Sequence, residues 1–200
     1  MQQTPKAMPT SRFSTELLLK AQAVKVVFFD IDGVMTDGGL LFTETGESIK
    51  RFNTLDGLGI KLLQKAGITP VVISGRDSAP LRTRLKALGV THIHLNTEDK
   101  LPAAEKTLVE LGLNWTQAAC MGDDWPDLPV LQASAFACAP LHAHFEAKAI
   151  ADYITEAPAG SGAVRELCDL LLTATGKYAQ LLTEFQPQVT QSSITKVNVA

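Results

Sequence analysis

The sequence predicts an α/β fold in which a parallel sheet is covered by helices on both faces and carries a small β-hairpin insertion. Three observations predict it. The run from Val24 to Asp30 (VKVVFFD) is near-continuously apolar and β-rich, the pattern of a strand buried on both faces. Downstream, short β-rich runs alternate with helical patterns, and that alternation implies parallel strands joined by right-handed crossovers. Gly67, Gly89 and Gly112 each stand just beyond a helical run, where a left-handed residue ends a helix.

The elements follow in order. Residues 1–12 are polar, contain two prolines and are expected to be loose; Ser14 then caps a short helix leading to Ala23. After the strand at 24–30, the stretch LLFTETGESIKRF reads as two short strands around a Thr45-Gly46 turn, within residues 38–53. Helix 57–66, strand 69–74, helix 78–87, strand 91–95, helix 100–111, strand 117–121 and helix 126–132 come next. Short strands near 135–138 and 152–154 precede a last helix at 162–174. The result is a Rossmann-like sheet. It divides into an N-terminal extension with a short helix (1–23), one domain (24–176) with its hairpin at about 38–52, and a tail (177–200) that is polar and aperiodic from Gln186 onward.

Bulk properties narrow the function. With 200 residues and 46% hydrophobic composition the chain can bury one substantial core, so one site is expected. A net charge of −3 disfavours nucleic acid or an anionic membrane as main partner. Cys120, Cys138 and Cys168 form no C-x-x-C, which argues against a disulfide framework or structural zinc and suits a reducing cytoplasm. No apolar run approaches the ~20 residues that span a bilayer, and Leu17 to Leu19 give way at once to Lys20 and Gln22 rather than forming a secretory leader.

In open parallel sheets ligands bind beyond the carboxyl ends of the strands, and four polar groups stand there. The first strand runs into Asp30-Ile31-Asp32-Gly33, and two acids at i and i+2 share a face. TPVVIS ends at Ser74-Gly75-Arg76, a hydroxyl, an amide and a guanidinium that can donate to phosphate oxygens. Lys100 opens a helix, where the helix dipole gives a cation no reason to be. The strand 117–121 ends in Gly122-Asp123-Asp124-Trp125-Pro126-Asp127, a setting for a hard cation, although Asp124 suffices as a helix cap. Ser74 lacks a surrounding G-x-S-x-G, which argues against a serine hydrolase. His92 and His94 share a strand face but lack matching further zinc ligands, and Lys50-Arg51 reads as a solvated strand end.

DIDG, ISGR, a lone lysine and GDDWPD, in that order and spacing, resemble the haloacid dehalogenase superfamily of phosphohydrolases. The resemblance implies Asp30 as nucleophile and Asp32 as acid/base, with Ser74 and Lys100 clamping the phosphoryl group and Asp127 supporting the site. It also implies Mg2+ held by Asp30, Asp123 and the Asp32 carbonyl oxygen. The intervals 33–73 and 75–99 are too short for the cap domain of larger members, so no cap domain is expected. DGGLLFTETGE, FNTLDGLGI and GSGAVRELCDLLL look like the 3-deoxy-manno-octulosonate 8-phosphate phosphatase family, whose product enters lipopolysaccharide. By that likeness Asn53, Thr54, Asp56, Gly57, Lys61, Arg76 and Arg84 would line the substrate region together with Asp32 and Lys100. Neighbouring subunits of a homotetramer would close the site over a small phosphorylated sugar acid. Leu55 and Ser161 stand where that family pattern has arginines. Phosphatases of a nine-carbon keto-acid phosphate or another small phosphoester, and a non-catalytic scaffold, are the competing readings.

Overall fold

The computed structural model describes residues 12–44 and 46–186. The expectations for residues 1–11, for Thr45 in the hairpin turn and for the chain beyond Gln186 therefore lie outside the described residues. The chain begins with α1 (Thr15–Ala21), capped by Ser14, whose hydroxyl accepts from the Leu17 amide at 3.3 Å. Then come β1 (Val26–Phe29), the antiparallel hairpin β2 (Leu41–Thr43) and β3 (Gly46–Ile49), and α2 (Thr54–Lys65). The repeating part follows as β4 (Thr69–Ile73), α3 (Ala79–Leu88), β5 (His92–His94), α4 (Lys100–Leu111) and β6 (Ala118–Met121). A 3-10 turn at Trp125–Asp127 leads into α5 (Leu128–Ala133), then β7 (Phe136–Ala139), α6 (Phe145–Ile150), β8 (Tyr153–Ile154), α7 (Ala163–Ala174) and α8 (Tyr178–Thr183).

Six strands form one sheet in the order β5-β4-β1-β6-β7-β8, with every pairing parallel. Alternation along the strands divides the core into two layers. Val27, Phe29, Val72, Ala119, Met121, Phe136 and Cys138 face the layer formed with Leu63 of α2, Leu85 of α3 and Leu167 of α7. Val26, Phe28, Val71, Ile73, Ala118, Cys120 and Ala137 face the opposite layer with Leu108 of α4, Leu131 of α5 and Ala147 of α6. Each large buried side chain contributes about 1.5–3 kcal/mol. A one-residue slip would exchange the two faces, so packing fixes the register that sets the strand ends level. Between β1 and α4 the chain has room only for the hairpin, α2, β4, α3 and β5, and the described residues form no cap domain.

Three elements depart from the sequence expectation. α2 starts at Thr54 rather than 57, because Asn53 caps it, its Oδ1 accepting from the Leu55 amide at 2.7 Å. Gly57 and Gly59 weaken the helical signal there, yet both are needed for close approach. A Cβ on Gly57 would overlap the Arg84 guanidinium, and one on Gly59 would lie 3.0 Å from Cys168 Sγ. Neither α6 nor α8 was expected, and α8 lies in the segment read as tail. Among the described residues no helix is long and apolar enough to cross a membrane.

Candidate active site

Phe29 pairs with Val72 on one side and Met121 on the other, so Asp30, the Ser74 loop and Gly122-Asp123 leave the sheet at one edge. The Asp30 amide donates to the Met121 carbonyl at 3.1 Å, which continues the pairing one residue past the strand. Lys100, the first residue of α4, sets its Nζ 2.6 Å from Asp30 Oδ1 and 2.6 Å from Asp127 Oδ1. The three side chains are only 6%, 9% and 4% exposed respectively, which removes most of the solvent screening between them. A lysine with no use for the helix dipole thus finds its use in bridging two loops.

Asp127 has a second task. Its Oδ2 accepts from the Asp123 amide at 2.9 Å and the Asp124 amide at 3.3 Å, folding the acidic loop back on itself. Asp124 accepts from the Trp125 amide at 2.8 Å and caps the 3-10 turn, the role expected of it. The fold leaves no room for side chains at two points here. A Cβ on Gly33, which has φ +91°, would overlap the Asp123 carboxylate, and one on Gly122 would overlap Asp127.

Carboxylate oxygens of Asp30, Asp123 and Asp127 all lie within 4.8 Å of one another and could hold a metal ion. Asp127 is thus a full member of the acidic group, beyond the supporting place expected of it. Three acids face one ammonium, so negative charge is in excess where water is scarce. Burial first, then Asp30 and Asp127, pushes Asp123 up to about 8. Burial and then Asp127 push Asp30 up to about 6 against the pull of Lys100. Lys100 is held above the ordinary lysine range because Asp30 and Asp127 outweigh the burial that opposes its charge. Crowded, partly dehydrated carboxylates are the donor set that a hard divalent cation prefers.

The Asp32 carboxylate belongs to a different group. Its Oδ1 pairs with Lys50 Nζ and lies 3.4 Å from Thr36 Oγ1, while its Oδ2 is buried. As a metal residue Asp32 would therefore contribute through its backbone oxygen. Lys50 corrects the reading of a solvated strand end, since its side chain is only 1% exposed. No local pattern could have shown this, because its partner lies across the hairpin.

No family model matches the chain. Escherichia coli (strain K12) 3-deoxy-D-manno-octulosonate 8-phosphate phosphatase KdsC is 37% identical over 164 residues, 82% of this chain and 87% of that protein. The chain belongs to the 3-deoxy-D-manno-octulosonate 8-phosphate phosphatase family. These are phosphoric monoester hydrolases of the haloacid dehalogenase superfamily. The Moraxella catarrhalis member of the family, solved with a magnesium ion, a phosphate ion and a KDO molecule, superposes with a TM-score of 0.84 at 35% identity. That match covers 87% of this chain and all of the other. A HAD superfamily (subfamily III A) hydrolase from Legionella pneumophila gives a TM-score of 0.82 at 40% identity, covering 85% of this chain and 93% of that one.

The other residues that the family likeness singled out lie in several settings. Ser74 is buried at the carboxyl end of β4, its Oγ accepting from the Arg76 amide at 3.2 Å, while Arg76, Thr54 and Lys61 are exposed. Asn53, Gly57 and Arg84 form one unit at the start of α2. Arg84 Nη2 donates to the Asn53 carbonyl at 3.0 Å, and its guanidinium lies 5.7 Å from the Phe52 ring centroid. Asp56 is 1% exposed and turned to the start of α7, accepting from the Gly162 amide at 3.3 Å and the Arg165 amide at 2.8 Å. It caps α7 from another helix, a long-range role that sequence reading missed. Leu55 and Ser161, the two departures from the family pattern, are both exposed.

Proposed function

We propose that this protein hydrolyses 3-deoxy-D-manno-octulosonate 8-phosphate to the free sugar acid and phosphate, through an aspartyl-phosphate on Asp30. The observation that carries the reading is Lys100 held between Asp30 and Asp127 beside Asp123, because it gathers a nucleophile, a fixed cation and a set of metal-binding oxygens at one strand edge. Asp30 Oδ attacks phosphorus while the bond to the sugar oxygen breaks. Asp32 gives that oxygen a proton, then takes one from the water that cleaves the aspartyl-phosphate. Lys100 and Ser74 bind and orient the phosphoryl oxygens. Mg2+, held by Asp30, Asp123, Asp127 and the Asp32 carbonyl oxygen, would supply the charge neutralisation that lets an anion approach an anionic ester.

The substrate pocket is read as lined by Asn53, Thr54, Lys61, Arg76 and Arg84. The reading includes a cytoplasmic homotetramer whose neighbouring subunits close the site. The outward-facing Leu41, Phe42 and Ile49 of the hairpin support that assembly. The deciding experiment is phosphate release from a panel of sugar phosphates with added magnesium. The expected result is a preference for the eight-carbon acid. An exposed Leu55 in place of a carboxylate-binding arginine favours a second reading, in which another small phosphoester, one without a carboxylate, wins the panel. Phosphate release equal to a no-enzyme control throughout would reject both.

Magnesium should also stabilise the fold. At about 100 times its Kd a ligand adds about 2.7 kcal/mol, which for a chain of this size raises Tm by roughly 5–10 °C. The pH dependence has a defined sign. Asp123 is raised from 3.8 to about 8, so between those values the folded chain binds more protons than the unfolded one. Stability without the metal therefore falls as pH rises through that window. The magnesium-induced gain should grow over the same window, because the ion competes with protons for the carboxylates. Melts with and without magnesium across this range check it, and a gain independent of pH would speak against Asp123 as ligand.

A further inference from the structure

We propose that Lys50 is a positioning residue for the acid/base carboxylate: it fixes Asp32 Oδ1, so that Oδ2 is the oxygen that exchanges the proton with the leaving group. The proposal rests on the phosphatase reading and assigns a residue and an atom within it. Lys50 reaches down from the end of the hairpin, its Nζ paired with Asp32 Oδ1 and 3.1 Å from Glu47 Oε1. Thr36 Oγ1 approaches the same Asp32 oxygen at 3.4 Å. Asp32 Oδ2, in contrast, is buried and has no hydrogen-bond partner among the described residues. One oxygen is held from two sides and the other is left without a partner.

A purely structural account of Lys50 fits poorly. Burying an ammonium costs several kcal/mol that its partners only partly offset, and an apolar side chain would anchor a hairpin with less penalty. The rest of the hairpin shows little attachment to the core. Leu41, Phe42 and Ile49 are more than half exposed, and the second charged tie, Arg51 to Asp37 at 2.8 Å, is on the surface where it adds little. The buried contact is made to the one carboxylate that must present a defined oxygen. In the first half-reaction the Oδ2–H bond breaks as the bond from phosphorus to the sugar oxygen breaks, and the proton goes to that oxygen. In the second, a water proton goes to Oδ2 as the water oxygen bonds to phosphorus and the bond from Asp30 to phosphorus breaks.

The test compares two esters. An alkyl sugar phosphate needs a proton on its leaving oxygen, whereas p-nitrophenyl phosphate releases a stable phenolate without one. For Lys50→Met, kcat/KM on the sugar phosphate is expected to fall about 30-fold or more, within the range that acid/base catalysis supplies. The loss on p-nitrophenyl phosphate should be at least tenfold smaller, and Lys50→Arg should recover part of the sugar-phosphate rate. If Lys50→Met does not fold, the same selectivity is read from Lys50→Arg. Equal losses on both esters, or a sugar-phosphate loss confined to KM, would overturn the assignment. A wild-type enzyme that cleaves neither ester would overturn the phosphatase reading itself, an outcome distinct from an active enzyme without the selectivity.

Discussion

Asp30→Asn is expected to lower phosphate release by about 10⁴-fold or more while leaving the chain folded. The amide is close to isosteric but does not attack phosphorus. The fold should tolerate the change because Lys100 keeps Asp127 as a buried partner at 2.6 Å. Asp30 is also the first charged neighbour that raises Asp123, so its neutralisation relieves the remaining acids. Single-turnover phosphate release, a thermal melt and intact-mass detection of the phosphorylated wild type together make the measurement. A variant within tenfold of wild type would place the nucleophile elsewhere.

Lys100→Met is expected to cost both activity and stability. Removing one partner of a buried ionic group leaves uncompensated charge, typically a loss of 3–5 kcal/mol, or roughly a 6–20 °C fall in Tm at this size. Asp30, Asp123 and Asp127 would then face one another without an internal cation. Added magnesium, or acid that protonates the group, should recover part of the lost stability. Adding Asp127→Asn to Lys100→Met should also be less damaging than the separate effects imply, since the two share one contact. A Lys100→Met protein melting within about two degrees of wild type would show that the buried pairings contribute little.

Much of this was legible in the chain. Asp30, Ser74, Lys100 and Asp123 stood out because each follows an apolar strand run or opens the helix behind one, and a parallel sheet delivers all such positions to one edge. The less legible residues act across long separations. Lys50 looks like any charged strand end until the hairpin folds it onto Asp32. Asp56 resembles an ordinary first-turn acid, but it caps α7, whose start lies more than a hundred residues away. The start of α2 is masked in the sequence because Gly57 and Gly59 are poor helix formers, kept for what packs against them. α6 and α8 are six residues each, too short for periodicity to show.

The level ends of β1 and β6 also bear on how the molecule matures. Asp30 and Asp123 come from distant parts of the chain and meet only when Phe29 is in register with Met121, a parallel pairing that closes a long loop. Such non-local contacts form late and slowly. A partly refolded chain can therefore hold the hairpin and individual helices and still lack any place for the ion, so recovery of tight cation uptake during refolding would time the joining of the central strands.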